Sequence, residues 1–254
     1  DEIINGICRR MKLDYSKFTR LQIMSLEAIR QTLTSLNKNS LGSKKIAMVL
    51  GCGWLDKQSS YYQLLDEQPS LEDYVRKNLK KDDADKVIRR LRGFFLKLKN
   101  NLNPSTDVII TPSLFKNAER IFGHKIEGCL IDAACASSLA AIDIAVKKLK
   151  ARQSDIVLTG GIDSNLGVEN FIIFSKSGTL ARKRCYPFDT KSDGLSQGDG
   201  AVIFALQRLE DAIKYNNKIY GIIKSCGSSS DGRGSSLFSP NVVGQIRALT
   251  QAYE

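Results

Sequence analysis

The sequence predicts a layered α/β fold built mainly on internal strands. Three observations carry that reading. Residues 46–50 and 200–206 are short, uninterrupted apolar runs, and 155–159 carry Ile-Val-Leu at their centre, the kind of segment that forms strands covered on both faces. Between such runs, apolar residues recur at helical spacing. The 254 residues with 42% hydrophobic side chains are also enough to fill one large core or two small ones.

Taken in order, Leu21, Met24, Ala28, Ile29, Leu33 and Leu36 share a helical face, and Gly42 then turns the chain into a strand over 46–50. A polar stretch follows Gly51-Cys52-Gly53. Residues 71–100 read as helix in two parts, split by Asp82-Asp83. In the second part, Val87, Ile88, Leu91, Phe95 and Leu98 share one face, while Lys86, Arg89, Arg90 and Arg92 occupy the other. That basic face reads either as solvated surface or as a place for an acidic partner to dock.

Residues 129–132 read as a strand and 137–150 as a helix offering Leu139, Ile142, Ala145, Val146 and Leu149 for packing. Residues 155–159 form the next strand, ending at Gly160-Gly161, and complete a β-α-β unit. After the strand at 200–206 come a helix over 208–215, a strand over 219–225, and a last helix over 241–253 introduced by Ser239-Pro240. The Gly, Ser and Asp run at 227–236 is the most flexible composition in the chain and marks no domain boundary.

Charge and cysteine content narrow the function. With 38 Lys and Arg against 27 Asp and Glu, the net charge of +11 favours an acidic partner such as nucleic acid, anionic lipid or acidic protein. No zinc pattern, RNA-stacking motif or helix-turn-helix signature supports nucleic acid. No apolar run approaches the roughly 20 residues of a membrane span. The start, Asp-Glu-Ile-Ile-Asn, has neither Met nor a secretion-signal layout, and predicts a piece of a longer polypeptide. Cysteines at 8, 52, 129, 135, 185 and 226 contain no C-x-x-C pair, so neither a metal cluster nor a disulfide scaffold is predicted, and a reducing cytoplasmic setting is. His124 is the sole histidine. Chemistry that needs two imidazoles cannot be completed by these residues alone.

The segment Ile131-Asp-Ala-Ala-Cys135-Ala-Ser-Ser-Leu139 places a thiol between a strand end and a helix start. Open N–H groups there favour a thiolate at Cys135 and can bind a developing oxyanion. Small residues at 133, 134 and 136 let a thioester approach. By composition alone, a Cys among Ala and Ser also reads as a buried apolar filler.

Asp132-Ala-Ala-Cys135-Ala-Ser-Ser138 resembles the active-site signature of beta-ketoacyl synthases, the condensing domains of fatty-acid and polyketide synthases. Further motifs follow in the family's order. They are Gly160-Gly-Ile-Asp163, the loop Phe174-Ser-Lys-Ser-Gly-Thr-Leu180, Pro187-Phe-Asp189, Asp193-Gly194, Gly198-Asp-Gly-Ala201, Ser228-Ser-Ser-Asp-Gly-Arg-Gly234 and Ser239-Pro-Asn241. The Ala-Cys-Ala-Ser-Ser form is most similar to the iterative type found in enediyne and polyunsaturated-fatty-acid synthases. Residues 1–125 match more weakly, and 107–120 keep little of the family's Gly-Asn-rich loop.

The resemblance implies a thiolase-like layered fold of two similar halves. Residues 1–216 would be a complete first half and 217–254 the truncated opening of the second, ending before both family histidines. It implies a decarboxylative Claisen condensation in which Cys135 accepts an acyl group from a phosphopantetheine thioester on an acyl carrier protein and a malonyl thioester then attacks it. Ala136 and Phe174 would contact substrate, Phe174 as a gate to the acyl pocket. No tightly bound cofactor and no metal are implied, and a homodimer is. The isolated chain would then be unable to condense. The competing reading is a non-elongating ketosynthase-like domain that binds acyl chains. Lys176 and Arg182 read as solvated surface or as contacts to carrier phosphates, His124 as structural or surface, and Asp189, Asp193 and Asp199 as structural.

Overall fold

Ile-Ala-Met-Val-Leu-Gly forms the strand β1 (Ile46–Gly51), and all six residues are buried. The computed structural model describes residues 2–42, 44–53, 64–101, 112–164, 166–234 and 239–254. β2 (Ile126–Ile131) and β3 (Ile156–Asp163) flank β1 and run parallel to it, with Ile46 level with Ile126 and Ile156, and Gly51 level with Ile131 and Gly161. β4 (Gly200–Gln207) completes a sheet of order β2-β1-β3-β4. Among the described residues the α-helices are α1 (Glu2–Met11), α2 (Arg20–Thr34), α3 (Gln68–Asn78), α4 (Lys81–Asn101), α5 (Pro112–Phe122), α6 (Ser137–Lys150), α7 (Val168–Lys176), α8 (Leu209–Lys214) and α9 (Val242–Tyr253).

Contacts divide the chain into two compact units, the first made of residues 1–27, 54–117 and 162–201, the second of 28–53, 118–161 and 202–254. In the first unit, α3 and α4 are joined by charge. Arg92 grips Glu72 with Nε at 3.0 Å from Oε1 and Nη2 at 2.5 Å from Oε2, and Arg76 reaches Asp85 at 3.7 Å. The Arg92 guanidinium, helped by the Gln68 amide, holds the Glu72 carboxyl down at about 2. Ile88 and Phe95 are buried as the periodicity predicts, together with Ala84. The two helices part at the extended residue Leu79 rather than at Asp82-Asp83. Those aspartates belong to the first turn of α4, where the helix dipole favours negative charge.

In the second unit, α6 lies on the sheet. Ala141, Ala145 and Leu149 meet Ala47, Val49 and Val157 in one buried cluster, with Ile131, Ile144 and Leu206 packed against it. The i, i+4, i+8 row of small then large side chains lets the helix start close to the strands. Leu139 does not take part; it is 70% exposed, because the inward face runs through 137, 141 and 145 instead.

Arg208, just before α8, closes the opposite end of this layer. Its Nη1 donates to the Ser154 carbonyl at 2.9 Å, its Nη2 to Asp155 at 2.6 Å and its Nε to Asp211 at 2.7 Å. Burial works against the charged form of Asp155. The Lys45 N–H and the Arg208 guanidinium outweigh that and hold its carboxyl below the usual range.

Three further expectations need correction. β2 begins at Ile126 and stops at Ile131, and its central residues Glu127, Gly128 and Cys129 are exposed, as suits an edge strand. β4 alternates exposed and half-buried residues, so only one of its faces is covered. Residues 219–225 form no strand: among the described residues nothing pairs with them, and Tyr220 and Ile222 are 79% and 60% exposed. The apolar content is there, but a strand also needs a hydrogen-bonding neighbour. The helix at the chain's end forms as expected, with the Asn241 side chain accepting from the Val243 N–H at 2.9 Å at its start. The polar residues 54–63, the stretch 107–111 and residues 235–236 lie outside the described residues.

Candidate active site at the strand-to-helix corner

Cys135 sits in a single 3-10 turn, Ala134–Ala136, between the end of β2 and the start of α6, and its side chain is exposed. The corner is tied by short local bonds. The Ala133 N–H donates to Ser137 Oγ at 2.9 Å, and that hydroxyl donates to the Ala134 carbonyl at 2.6 Å. Asp132 Oδ1 accepts from the Ala134 N–H at 3.0 Å, which holds Ala134 at a left-handed φ of 49°. The Ala136 N–H reaches the Ala133 carbonyl at 3.1 Å, and the Ser137 N–H reaches that of Ala134. Of the five amides from 133 to 137, the Cys135 N–H is the one these bonds do not engage. It stands beside the thiol at a helix N-terminus, the place where fixed donors stabilise an oxyanion.

Two glycines make the corner possible. A Cβ on Gly51 would collide with the backbone of Ser137 and Ser138, and one on Gly161 would come within 2.8 Å of Ser138 Cβ. Level with each other on β1 and β3, they let the first turn of α6 settle onto the strand ends. The sequence signal was present in Gly51-Cys52-Gly53 and Gly160-Gly161, yet there it read as punctuation after strands. Ser137, buried and bonded in both directions, is a further positioning residue that the motif contained without revealing its role.

Ala136 occupies the N-cap position of α6 with no side-chain cap, and its methyl is exposed next to Cys135. Phe174 belongs to the first unit and is half-buried in the last turn of α7. It is therefore helical where a loop was expected, and the bend follows at Gly178, φ 71°. Its carbonyl accepts from the Thr179 N–H at 3.0 Å. Lys176 and Arg182 are exposed. His124 is half-buried between α5 and β2. Asp189 and Asp193 accept backbone N–H groups from Lys191 and Arg182 and so shape their loop, and Asp199 pairs with Arg20 of α2 at 2.6 Å. Among the described residues, no group of three or more His, Cys, Asp or Glu side chains is placed to hold a metal ion, and no helix is long and apolar enough to cross a membrane. A cavity of about 730 Å³ in the second unit is lined by Ile142, Val146, Ile203, Ala205 and Ile222 among others, and Cys135 does not border it.

Residues 122–212 match the family model described as beta-ketoacyl synthase, N-terminal domain, a span running from the end of α5 through the Cys135 corner into α8. Over these residues the chain is similar to the beta-ketoacyl synthase family. The ketosynthase likeness reaches further in curated proteins. A polyunsaturated fatty acid synthase polypeptide of Thraustochytrium is 27% identical over 236 residues, 91% of this chain and 8% of that protein. A phenolphthiocerol/phthiocerol polyketide synthase polypeptide of Mycobacterium tuberculosis is 35% identical over 133 residues, 52% of this chain and 6% of that one.

Solved ketosynthases share the fold. The ishigamide ketosynthase/chain length factor superposes with a TM-score of 0.71 at 21% identity, covering 94% of this chain and 53% of the other. The ketosynthase from module 6 of the bacillaene synthase of Bacillus subtilis gives 0.64 at 20% identity, covering 95% and 36%. The thiolase-like α/β layering is thus established, and the chain spans about half or less of the length of these proteins.

Proposed function

We propose that this chain supplies the acyl-accepting part of a ketosynthase, an acyltransferase-type condensing enzyme of polyketide or fatty-acid biosynthesis. The observation that carries the reading is Cys135, exposed at a helix start beside its own uncommitted N–H. Cys135 Sγ, as thiolate, attacks the carbonyl carbon of an acyl-phosphopantetheine thioester carried by an acyl carrier protein. The Cys135 N–H donates to the oxyanion that forms. Collapse breaks the bond to the pantetheine sulfur, which leaves as a thiol, and keeps the acyl group as a thioester on Cys135. The small side chains of Ala133, Ala134 and Ala136 leave that trajectory open. In the condensing half-reaction a malonyl thioester loses carbon dioxide, and its enolate carbon attacks the stored acyl carbon and returns the Cys135 thiolate.

Phe174 is assigned as the gate of the acyl pocket on the strength of its place in the family order. Residues 1–216 are assigned to the first thiolase-like half and 217–254 to the opening of the second. The exposed edge of β2 supports a homodimer in the full-length protein, since an unpaired ladder invites a second copy. Six cysteines, all free thiols, fit a reducing cytoplasm.

The test is mass spectrometry after incubation with an acyl-pantetheine thioester. The peptide containing Cys135 gains the acyl mass in the native chain, and Cys135→Ser does not. An adduct spread over the other cysteines, or none on folded protein, defeats the reading. The second reading is a domain that holds acyl chains without elongating them. Adding a malonyl thioester to the acylated chain separates the two, because only the condensing reading yields a ketoacyl product once two histidines are supplied by the full-length protein.

A further inference from the structure

The ketosynthase reading does not use α4, whose outward face is strongly basic. From residue 86 to residue 99 this helix has six basic residues and no acidic one. Three nearby carboxylates are committed, Glu72 to Arg92, Asp85 to Arg76, and Asp73 to Lys77 at 2.6 Å, while Asp82 and Asp83 stand at the helix start, one turn before Lys86. Lys86, Arg89, Arg90 and Lys97 are exposed.

At 100° per residue, Lys86, Arg90, Gly93 and Lys97 fall within an arc of about 60°, opposite the buried Ile88 and Phe95, and extend about 16 Å along the axis. Gly93 lies in the middle of that arc, with nothing within 4 Å of a Cβ placed on it. A row of cations with a shallow saddle at its centre is the result. Phe94 and Leu96 flank the arc on opposite sides, 53% and 61% exposed.

We propose that this face docks one acidic amphipathic helix of a partner protein. Carboxylates spaced i, i+4 and i+11 on such a helix meet Lys86, Arg90 and Lys97, and the side chain at i+7 sits over Gly93. The apolar edges of the same helix cover Phe94 and Leu96. Nucleic acid would satisfy the cations but leave Leu96 uncovered. An anionic bilayer would need apolar side chains at the crest of the face, where glycine and lysine stand instead.

A labelled, helix-stapled peptide of about 18 residues with Glu at that spacing and Leu on both flanks is the probe, read by fluorescence anisotropy at about 50 mM salt with the whole chain. Binding is expected, and it weakens about tenfold or more in K86E/R90E/K97E and in a scrambled peptide of the same composition. G93Q, which changes no charge and fills the saddle, is expected to weaken it about threefold, and circular dichroism confirms that both variants keep the native fold. Unchanged binding in either variant overturns the proposal. So does equal binding of the scrambled peptide, or tighter binding of a DNA duplex or of phosphatidylserine vesicles than of the stapled helix.

Discussion

Residues 46–50 and 219–223 of the second unit are almost interchangeable in hydrophobic content, and they end in opposite conditions. Ile-Ala-Met-Val-Leu becomes β1, with a parallel partner on each side and no exposed residue. Ile-Tyr-Gly-Ile-Ile becomes an unpaired stretch that lines one side of the cavity beside β4 and leaves its side chains largely in water. The lesson is that apolar content makes a strand possible, and neighbours make it real. β1 has β2, β3 and α6. Residues 219–223 have only the edge of a sheet whose last strand is itself half covered.

Substitutions sharpen or break this contrast. Val157→Asp, which places a carboxylate among Ala47, Val49 and Ala145, is expected to cost about 4 kcal/mol or more and abolish the native circular dichroism spectrum. Gly51→Val drives a side chain into the backbone of Ser137 and should cost about 3 kcal/mol in urea melts, with loss of acylation at Cys135. Arg208→Ala removes the group that ties β3 to the chain after β4, at about 2 kcal/mol.

The Arg208 variant also changes the acid limb. Because the folded Asp155 carboxyl titrates below its ordinary range, the stability it adds is complete above that range and disappears as pH falls through the depressed value. Without Arg208, the acid-side slope of thermal stability against pH should flatten. Smallest of all, Ile222→Asp should shift stability by no more than about 0.5 kcal/mol. A cost near that of Val157→Asp would show that residues 219–223 are packed as tightly as β1 and would end the comparison.

The sequence announced those parts of the fold in which local pattern and tertiary setting agree. Ser137–Lys150 was legible to the residue because its periodicity, small N-terminal side chains and basic end all point one way. The placement of Cys135 at a strand-to-helix corner was legible for the same reason. What stayed hidden depended on partners distant in sequence. The exposure of Leu139 follows from which side of α6 the strands approach, and the role of Gly51 follows from a helix that begins 86 residues later. The missing strand at 219–225 could not be read from its own residues, because its fate rests on hydrogen-bonding groups elsewhere. The split of α3 from α4 went to Leu79 because two aspartates that look like breakers serve equally well as a helix's opening turn.

Ala134 bears a left-handed backbone that glycine would adopt without penalty, and alanine does so at a cost of about 1 kcal/mol. The Asp132 and Ser137 side chains, with the Ser137 N–H on its carbonyl, hold it there. Either hydroxyl or carboxylate, once removed, would let residue 134 relax toward ordinary values and swing the sulfur of its neighbour off line. Precision at this point is thus maintained by tension rather than by rigidity of the peptide itself, and a glycine at 134 would trade that tension for a looser aim.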